Sequence, residues 1–486
     1  MKPTTLDSEH PVLVLFRNDR RLADNAALDA AARSGKPVIA AFVLEEAASG
    51  DWQPGGAWRW WLHYSLAALE KALADLGVRL VLRRGAMREV VDALVRESGA
   101  DTVFWNRRYD PAGIAVDTRM KADLRDRGMV VQSFSGHLLH EPSRLATSTG
   151  GYYKVYSPFW KALMAGPEPG DAFDAPQVLT PFQGSLDSMP LAAFGLLPQK
   201  PDWAGGLRET WTPGEAGAHE RLADFLSDAL NGYAEGRDYP AKDATSLLSP
   251  YLAHGEITPA RIFAALRSSG DDAIGADAMK FRKEVGWREF CYHLLFHNPD
   301  LDKKNFQPSF DAFPWHEDDA SLRAWQRGMT GYPLVDAGMR ELWQTGYMQN
   351  RVRMIAASFL TKHLLIDWRT GERWFRDTLV DADPASNPGN WQWVAGCGAD
   401  AAPFFRIFNP VLQGQKFDPD GTYVRAWVPE LAGLSTRYIH EPWSAPAAVL
   451  AQAGVKLGET YPRPVVDHRL ARDRALSAHA ETRSES

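Results

Sequence analysis

The chain has 486 residues, 45% hydrophobic and 24% charged, enough for roughly two to four domains with a sizeable core. A formal net charge of −7 excludes a surface that coats nucleic acid or membrane all over, but not one local basic patch. Two cysteines, Cys291 and Cys397, are too few for a disulfide framework or an unaided iron–sulfur cluster and fit a reducing cytosol.

Residues 1–15 lack a basic stretch followed by a long apolar run, so no signal peptide is expected, and no segment reaches membrane-span length. From there, short apolar runs alternate with helical patterns. "VLVLF" (12–16), "VIAAFVL" (38–44), "RLVLR" (79–83), "TVFWN" (102–106) and "MVVQSF" (129–134) read as buried strands, and 57–77 as a helix. Residues 1–135 are therefore expected to form an α/β domain around a doubly wound, five-stranded parallel sheet. Residues 136–215, rich in Pro, Gly and Ser, read as a long connector. Residues 216–475 read as an almost all-helical domain, as in the continuous pattern 334–368, and 476–486 as a disordered tail.

Several motifs carry both a plain and a chemical reading. "GCGADA" (396–401) has the loose spacing of a dinucleotide loop, but it lies in the helical half, away from any strand. "HLLFH" (293–297) sets His293 and His297 on one helix face. No zinc-protease glutamate or obvious third ligand accompanies them, so a structural pair is expected. "TSLLS" (245–249) reads plainly as a helix N-cap. With Tyr233, Arg237 and Lys242 nearby, it also suits a phosphate-bearing cofactor. In "NRVRM" (350–354), Arg351 and Arg353 fall on different helix faces, and Asp381 and Asp383 follow downstream. Solvated ion pairs are the plain reading. An interior Arg–Asp pair beside a group that needs charge, or acids that ligate a metal, are the alternatives.

Tryptophan is frequent, with 18 copies, eight of them within 281–420. On a helix, Trp391 and Trp393 of "NPGNWQW" would point to different faces. Trp315, Trp368 and Trp391 are too widely spaced for one stripe; each is ordinarily a core residue unless the set links a redox centre to the surface.

Four long segments, "WREFCYHLLFHNPDL" (287–301), "RGMTGYPLVDAGMRELWQTGYMQNRVRM" (327–354), "LLIDWRTGERWFRDTLVDADPASNPGNWQW" (364–393) and "ADAAPFFRIFNPVLQGQKFDPDGTYVRAWVPEL" (399–431), closely resemble the photolyase/cryptochrome family in order and spacing. The resemblance runs from "VLFRNDRRLADNAAL" (14–28) to "YPRPVVDHRLAR" (461–472). Within the family it is most similar to the bacterial class III cyclobutane pyrimidine dimer photolyases. It implies an N-terminal antenna domain and a helical domain that holds a bent FAD.

By this resemblance, Tyr233, Thr245, Ser246, Leu247, Leu248 and Ser249 bind the cofactor. Arg353 and Asp381 flank its ring, Asp383 lies near the ribityl chain, and Asn387 faces flavin N5. Asparagine cannot readily supply a proton there, which favours a reduced, anionic flavin. Glu284 would hydrogen-bond the dimer, with burial favouring its protonated form. Trp287 would stack on the lesion, with Asn350 and Met354 completing the wall, and Trp393 resembles a further pocket-wall residue near the lesion. Arg351, Arg406 and Lys154 would contact DNA. Trp391, Trp368 and Trp315 would carry electrons to the flavin. No histidine stands in "YMQNRVRM", which disfavours the (6-4) photoproduct.

The implied activity is light-driven splitting of cyclobutane pyrimidine dimers in UV-damaged single- or double-stranded DNA by a monomer without a membrane partner. The implied antenna is 5,10-methenyltetrahydrofolate, with Glu45 and Trp52 as bare candidates; a deazaflavin, or no antenna at all, is the alternative. Two rival readings remain: a blue-light signalling cryptochrome, disfavoured by the short stretch after the last motif, and a dark flavin or nicotinamide oxidoreductase.

Overall fold

The computed structural model describes residues 10–45, 52–166, 172–268, 275–401 and 405–484. Residues 1–9 of the signal-peptide reading, 402–404 of the fourth family segment and 485–486 of the tail lie outside the described residues.

Five apolar runs form β1 (Val12–Phe16), β2 (Val38–Leu44), β3 (Leu80–Arg84), β4 (Thr102–Asn106) and β5 (Val130–Phe134). They pair in parallel in the order β3-β2-β1-β4-β5. Val12 lies opposite Val38 on one side and Thr102 on the other, which sets the register of the three central strands. The inner strands are buried end to end because helices cover both faces of the sheet. These helices are α1 (Ala26–Ser34), α2 (Gly56–Asp75), α3 (Met87–Ser98) and α4 (Pro111–Asp126). The chain leaves β1 toward β2 on one side and reaches β4 on the other, so a crevice opens between the carboxyl ends of β1 and β4.

The connector contains helix α5 (Tyr156–Ala165) and returns to lay Thr180 and Phe182 on Val38 at the start of β2, through backbone bonds of 2.7 and 3.3 Å. The helical half includes α6 (Ser249–His254), α7 (Ala276–His297), α8 (Pro333–Thr345), α9 (Asn350–Ser358), α10 (Trp368–Thr378), α11 (Ser386–Ala395) and α12 (His468–Ser484). The pattern 334–368 is not one helix. α8 closes at Gly346, and the Gln349 side chain caps α9 by accepting from the N–H groups of Arg351 and Val352.

Residues 476–484 are not a disordered tail but continue α12. Ala471, Ala475, Ala478 and Thr482 form its buried face. His468 meets His363 at 2.8 Å, Arg474 donates to the His363 carbonyl, and His479 stacks on Phe405 at 4.4 Å. An alanine face carries little hydropathy contrast, which is why the sequence did not reveal it.

The two halves meet through polar groups. Arg20 bonds the His254 ring at 2.7 Å, and Trp61 Nε1–H donates to both carboxylate oxygens of Glu256 at 3.1 Å. Burial pushes the Glu256 carboxyl up to about 7, against the pull of Ser65 and Arg20.

Candidate functional site

The residues expected to cradle a flavin converge from four elements. Arg353, on α9, makes a two-pronged pair with Asp381 at 3.1 and 2.9 Å, the interior Arg–Asp pair that the sequence left open. Ser249 Oγ–H donates to the same carboxylate at 2.6 Å rather than capping α6, whose N-cap is Leu248 with no side-chain bond. The N-cap reading of "TSLLS" is thus replaced by a link to Asp381. Ser246 Oγ accepts from Leu248 N–H at 3.3 Å, which leaves its own proton free to donate, and Leu247 adopts a φ of 51°. Tyr233 is buried, with Arg237 5.4 Å from its ring centre.

Asp383 accepts from Tyr292 Oη–H at 2.7 Å and from the N–H groups of Ala385 and Ser386 at 3.0 and 2.7 Å, so it anchors the start of α11. Asn387 donates both its N–H bonds to Glu372, to the carboxylate at 2.8 Å and the carbonyl at 3.1 Å. Because both partners are acceptors, the amide must turn its carbonyl oxygen away from Glu372, and that oxygen accepts nothing from the described residues. Glu372 is itself held by Arg376 and Trp52; burial raises its pKa, and Arg376 pulls it back. Nothing in the sequence pointed to Glu372, Tyr292 or Tyr347, the last lying under the Arg353 guanidinium.

This donor set suits FAD. A free hydroxyl beside a left-handed turn fits a phosphate, an arginine–carboxylate pair fits a polar ring edge, and a lone carbonyl fits a ring N–H.

On the other side of α7, Trp287 stacks face to face on Tyr156, 3.9 Å apart at 8°. Glu284 does not sit in an apolar site. Its carboxylate pairs with Arg237 and, at 2.9 Å, with Lys280, so the expected burial of a neutral acid is corrected to a two-cation clasp. Asn350 is exposed and lies 3.9 Å from the Met354 sulfur. Arg351 pairs with Asp238 at 2.8 Å and covers the Phe417 ring. Lys154 lies 5.3 Å above the centre of the Tyr152 ring. Arg406 is exposed, and its carbonyl accepts from buried Lys362. Trp393 is half-buried and donates to the Asp400 carbonyl at 2.9 Å.

Trp391 turns the opposite way, into the core. It packs edge-on against Phe375 at 4.9 Å and Trp325 at 6.2 Å. Trp368 is fully buried, its Nε1–H donating to Asn305 at 2.9 Å. Trp315 is half-buried beside Phe313. All three belong to one continuous apolar cluster.

A cavity of about 860 Å³ fills the crevice at the strand ends. Arg17, Glu45, Arg108 and Trp58 line it from the α/β side, with Ala253 and Pro384 across from them; Trp52 also reaches it. Arg108 is held charged by Asp110, Glu45 and Asp117 despite its burial.

The remaining motifs make contacts within the protein. His293 accepts the Tyr153 N–H at 3.0 Å, and His297 stacks on Tyr152 at 4.5 Å. Among the described residues no group of three or more His, Cys, Asp and Glu converges as metal ligands. The "GCGADA" glycines end a helix instead of following a strand: Gly396, at φ 99°, closes α11. No helix among the described residues is long and apolar enough to cross a membrane.

A parallel-sheet domain facing a helical body with this cradle defines a two-domain flavoprotein. Residues 12–179 match the family described as DNA photolyase, and residues 281–481 match the FAD binding domain of DNA photolyase. The chain is 60% identical to a deoxyribodipyrimidine photo-lyase of Agrobacterium fabrum, over 97% of this chain and 98% of that protein. It is 37% identical to cryptochrome-1 of Arabidopsis thaliana, over 93% of this chain and 68% of the other. Its fold is similar to the crystal structure of a bacterial class III photolyase from Agrobacterium tumefaciens, with a TM-score of 0.95, 58% identity and full coverage of both chains. The chain belongs to the photolyase/cryptochrome family.

Proposed function

We propose that this protein is a deoxyribodipyrimidine photo-lyase that splits cyclobutane pyrimidine dimers in UV-damaged DNA in a light-dependent reaction. The reading is supported by the Arg353–Asp381 pair and the Asn387 amide bound to Glu372, together with Trp287 and Glu284 on α7, in a chain 60% identical to a photo-lyase over nearly its whole length.

FAD, when bound and reduced, supplies the electron that opens the cyclobutane ring on illumination and takes it back afterwards. The residues do the rest. Ser246 and its turn would hold the phosphates, Arg353 and Asp381 the ring edge, and the Asn387 carbonyl would accept from N5–H. An amide has no acidic proton to return, so this contact favours the reduced, anionic form. Trp391, Trp368 and Trp315 form the path by which electrons reach the cofactor.

Flipping the lesion out of the duplex costs a few kcal/mol, less for a crosslinked, poorly stacked pair. The Trp287 ring has one face covered by Tyr156, so the lesion stacks on the other, with Trp393, Asn350 and Met354 around it. Arg237 and Lys280, clasping Glu284, offer N–H donors to negative charge that develops on the pyrimidine carbonyls. Arg351, Arg406 and Lys154 meet phosphates, which makes binding salt-dependent.

The crevice cavity would take an antenna, for which we propose 5,10-methenyltetrahydrofolate, with Glu45 and Trp52 on its wall. The protein would act as a monomer in a bacterial cytoplasm, and two buried free cysteines fit such a reducing compartment.

The test is binding of one oligonucleotide, with and without a thymine dimer, in the dark and after blue light. Tight dark binding of the dimer strand that is lost on illumination is the expected result. Dark binding that persists unchanged in light contradicts repair.

A further inference from the structure

We propose that Asp400 is a positioning residue that sets the separation of the two tryptophan walls of the lesion pocket; this rests on Trp287 and Trp393 being those walls. The residue uses its two acceptors on two different walls. Its backbone carbonyl accepts the Trp393 indole N–H at 2.9 Å. Its carboxylate accepts the Tyr156 N–H at 3.2 Å. Tyr156 in turn lies flat on Trp287, 3.9 Å away, with its hydroxyl donating to the Lys283 carbonyl at 2.5 Å. One residue therefore ties the ring behind Trp287 to the ring of Trp393.

The local backbone points the same way. Asp400 has a φ of 52°, in the left-handed region that few residues other than glycine adopt and that aspartate tolerates better than most. That conformation turns its carbonyl and its carboxylate toward different partners. It follows the sharp exit from α11, where Gly396 and Gly398 both donate to the Gln392 carbonyl at 3.0 Å, so the loop has little freedom to drift. On the receiving side, the Tyr156 N–H belongs to the first turn of α5, where no intrahelical acceptor exists and a negative group is favoured. Asp400 does not touch the lesion in this account. It acts through Tyr156 and Trp393.

Three variants of the full chain separate this role from simple folding. Asp400→Asn keeps an acceptor oxygen and tolerance of positive φ. Asp400→Gly keeps the backbone carbonyl and the φ but has no side-chain acceptor. Asp400→Ala loses the acceptor and strains the backbone. Dissociation constants for dimer-containing and undamaged oligonucleotides are read in the dark, beside the flavin spectrum and the thermal midpoint. Misplacing one stacking wall is expected to lower the damaged-to-undamaged affinity ratio about tenfold in the Gly and Ala variants, in line with the usual worth of a base–aromatic stack. Undamaged-DNA affinity and flavin spectrum should stay as in the parent, and Asn should restore the ratio. Unchanged ratios in Gly and Ala overturn the proposal. So does a parallel loss of both affinities with a lowered thermal midpoint, which makes Asp400 purely structural. A parent protein that does not discriminate damaged DNA at all removes the pocket assignment itself.

Discussion

The pair of Arg353 and Asp381 concentrates much of the site's electrostatics in two residues. Asp381 also receives Ser249, so replacing its carboxylate strands a guanidinium among Tyr347 and Met348. Asp381→Asn is expected to cost about 2–3 kcal/mol in urea unfolding, toward the low end for a broken buried pair because the guanidinium keeps some solvent contact, and to reduce FAD retained on purification. Full FAD content with parental stability would contradict the role given to the pair. Trp391 supports a second expectation. Its ring is enclosed by Phe375 and Trp325, so Trp391→Phe keeps most of the packing while removing the indole. Flavin photoreduction should slow in this variant, while repair by chemically pre-reduced enzyme persists; parental photoreduction kinetics would take Trp391 off the path. Arg353, Asp381, Asn387 and the tryptophans were singled out in the sequence by the family resemblance, not by charge or residue type. Glu372, Tyr156 and Asp400 were not, because each works through a neighbour's N–H or ring that only the fold brings close.

At the scale of elements, α10 and α11 are locked by a missing side chain. Gly371 lies one turn after Trp368, and a Cβ there would enter the Trp391 ring and touch Leu360. In an exposed helix, Gly→Ala gains up to about 1 kcal/mol. Here Gly371→Ala is expected to lose about 1–3 kcal/mol through overpacking, measured by chemical denaturation. A stabilised variant would mean that the two helices do not pack as closely as described. The strands were legible nearly to the residue, because buried parallel strands are unbroken apolar runs. Helix boundaries were less so: the break at Gly346–Gln349 has one glycine and one polar cap inside a continuous hydrophobic period, and α12 hides its face in alanine.

Across the whole molecule, the join between the halves is where pH should act. Glu256 rises from an ordinary 4.5 to about 7 through burial. A carboxyl raised on folding adds stability in full below about 4.5, and that part is lost as pH climbs through about 7. At roughly 1.4 kcal/mol for each pH unit between the two values, the loss is at most about 3.5 kcal/mol. Glu256→Gln, which keeps an acceptor for Trp61, should flatten the decline in stability between pH 5 and 8; an unaltered profile would assign the decline to other groups, with Glu341, also raised to about 7 by burial, the first candidate. The two-part architecture was visible in the sequence as a change from short apolar runs set between helices to an almost all-helical pattern. The crevice cavity was foreseen only as the general place where such sheets bind ligands, since its far wall, with Ala253 and Pro384, comes from the other half of the chain.

The most direct measurement of the central claim is the number of thymine dimers left in an oligonucleotide incubated with the FAD-reduced protein, in matched light and dark samples. Dimers are expected to disappear under near-UV or blue light and to stay constant in the dark. An unchanged dimer count in the illuminated sample would contradict it.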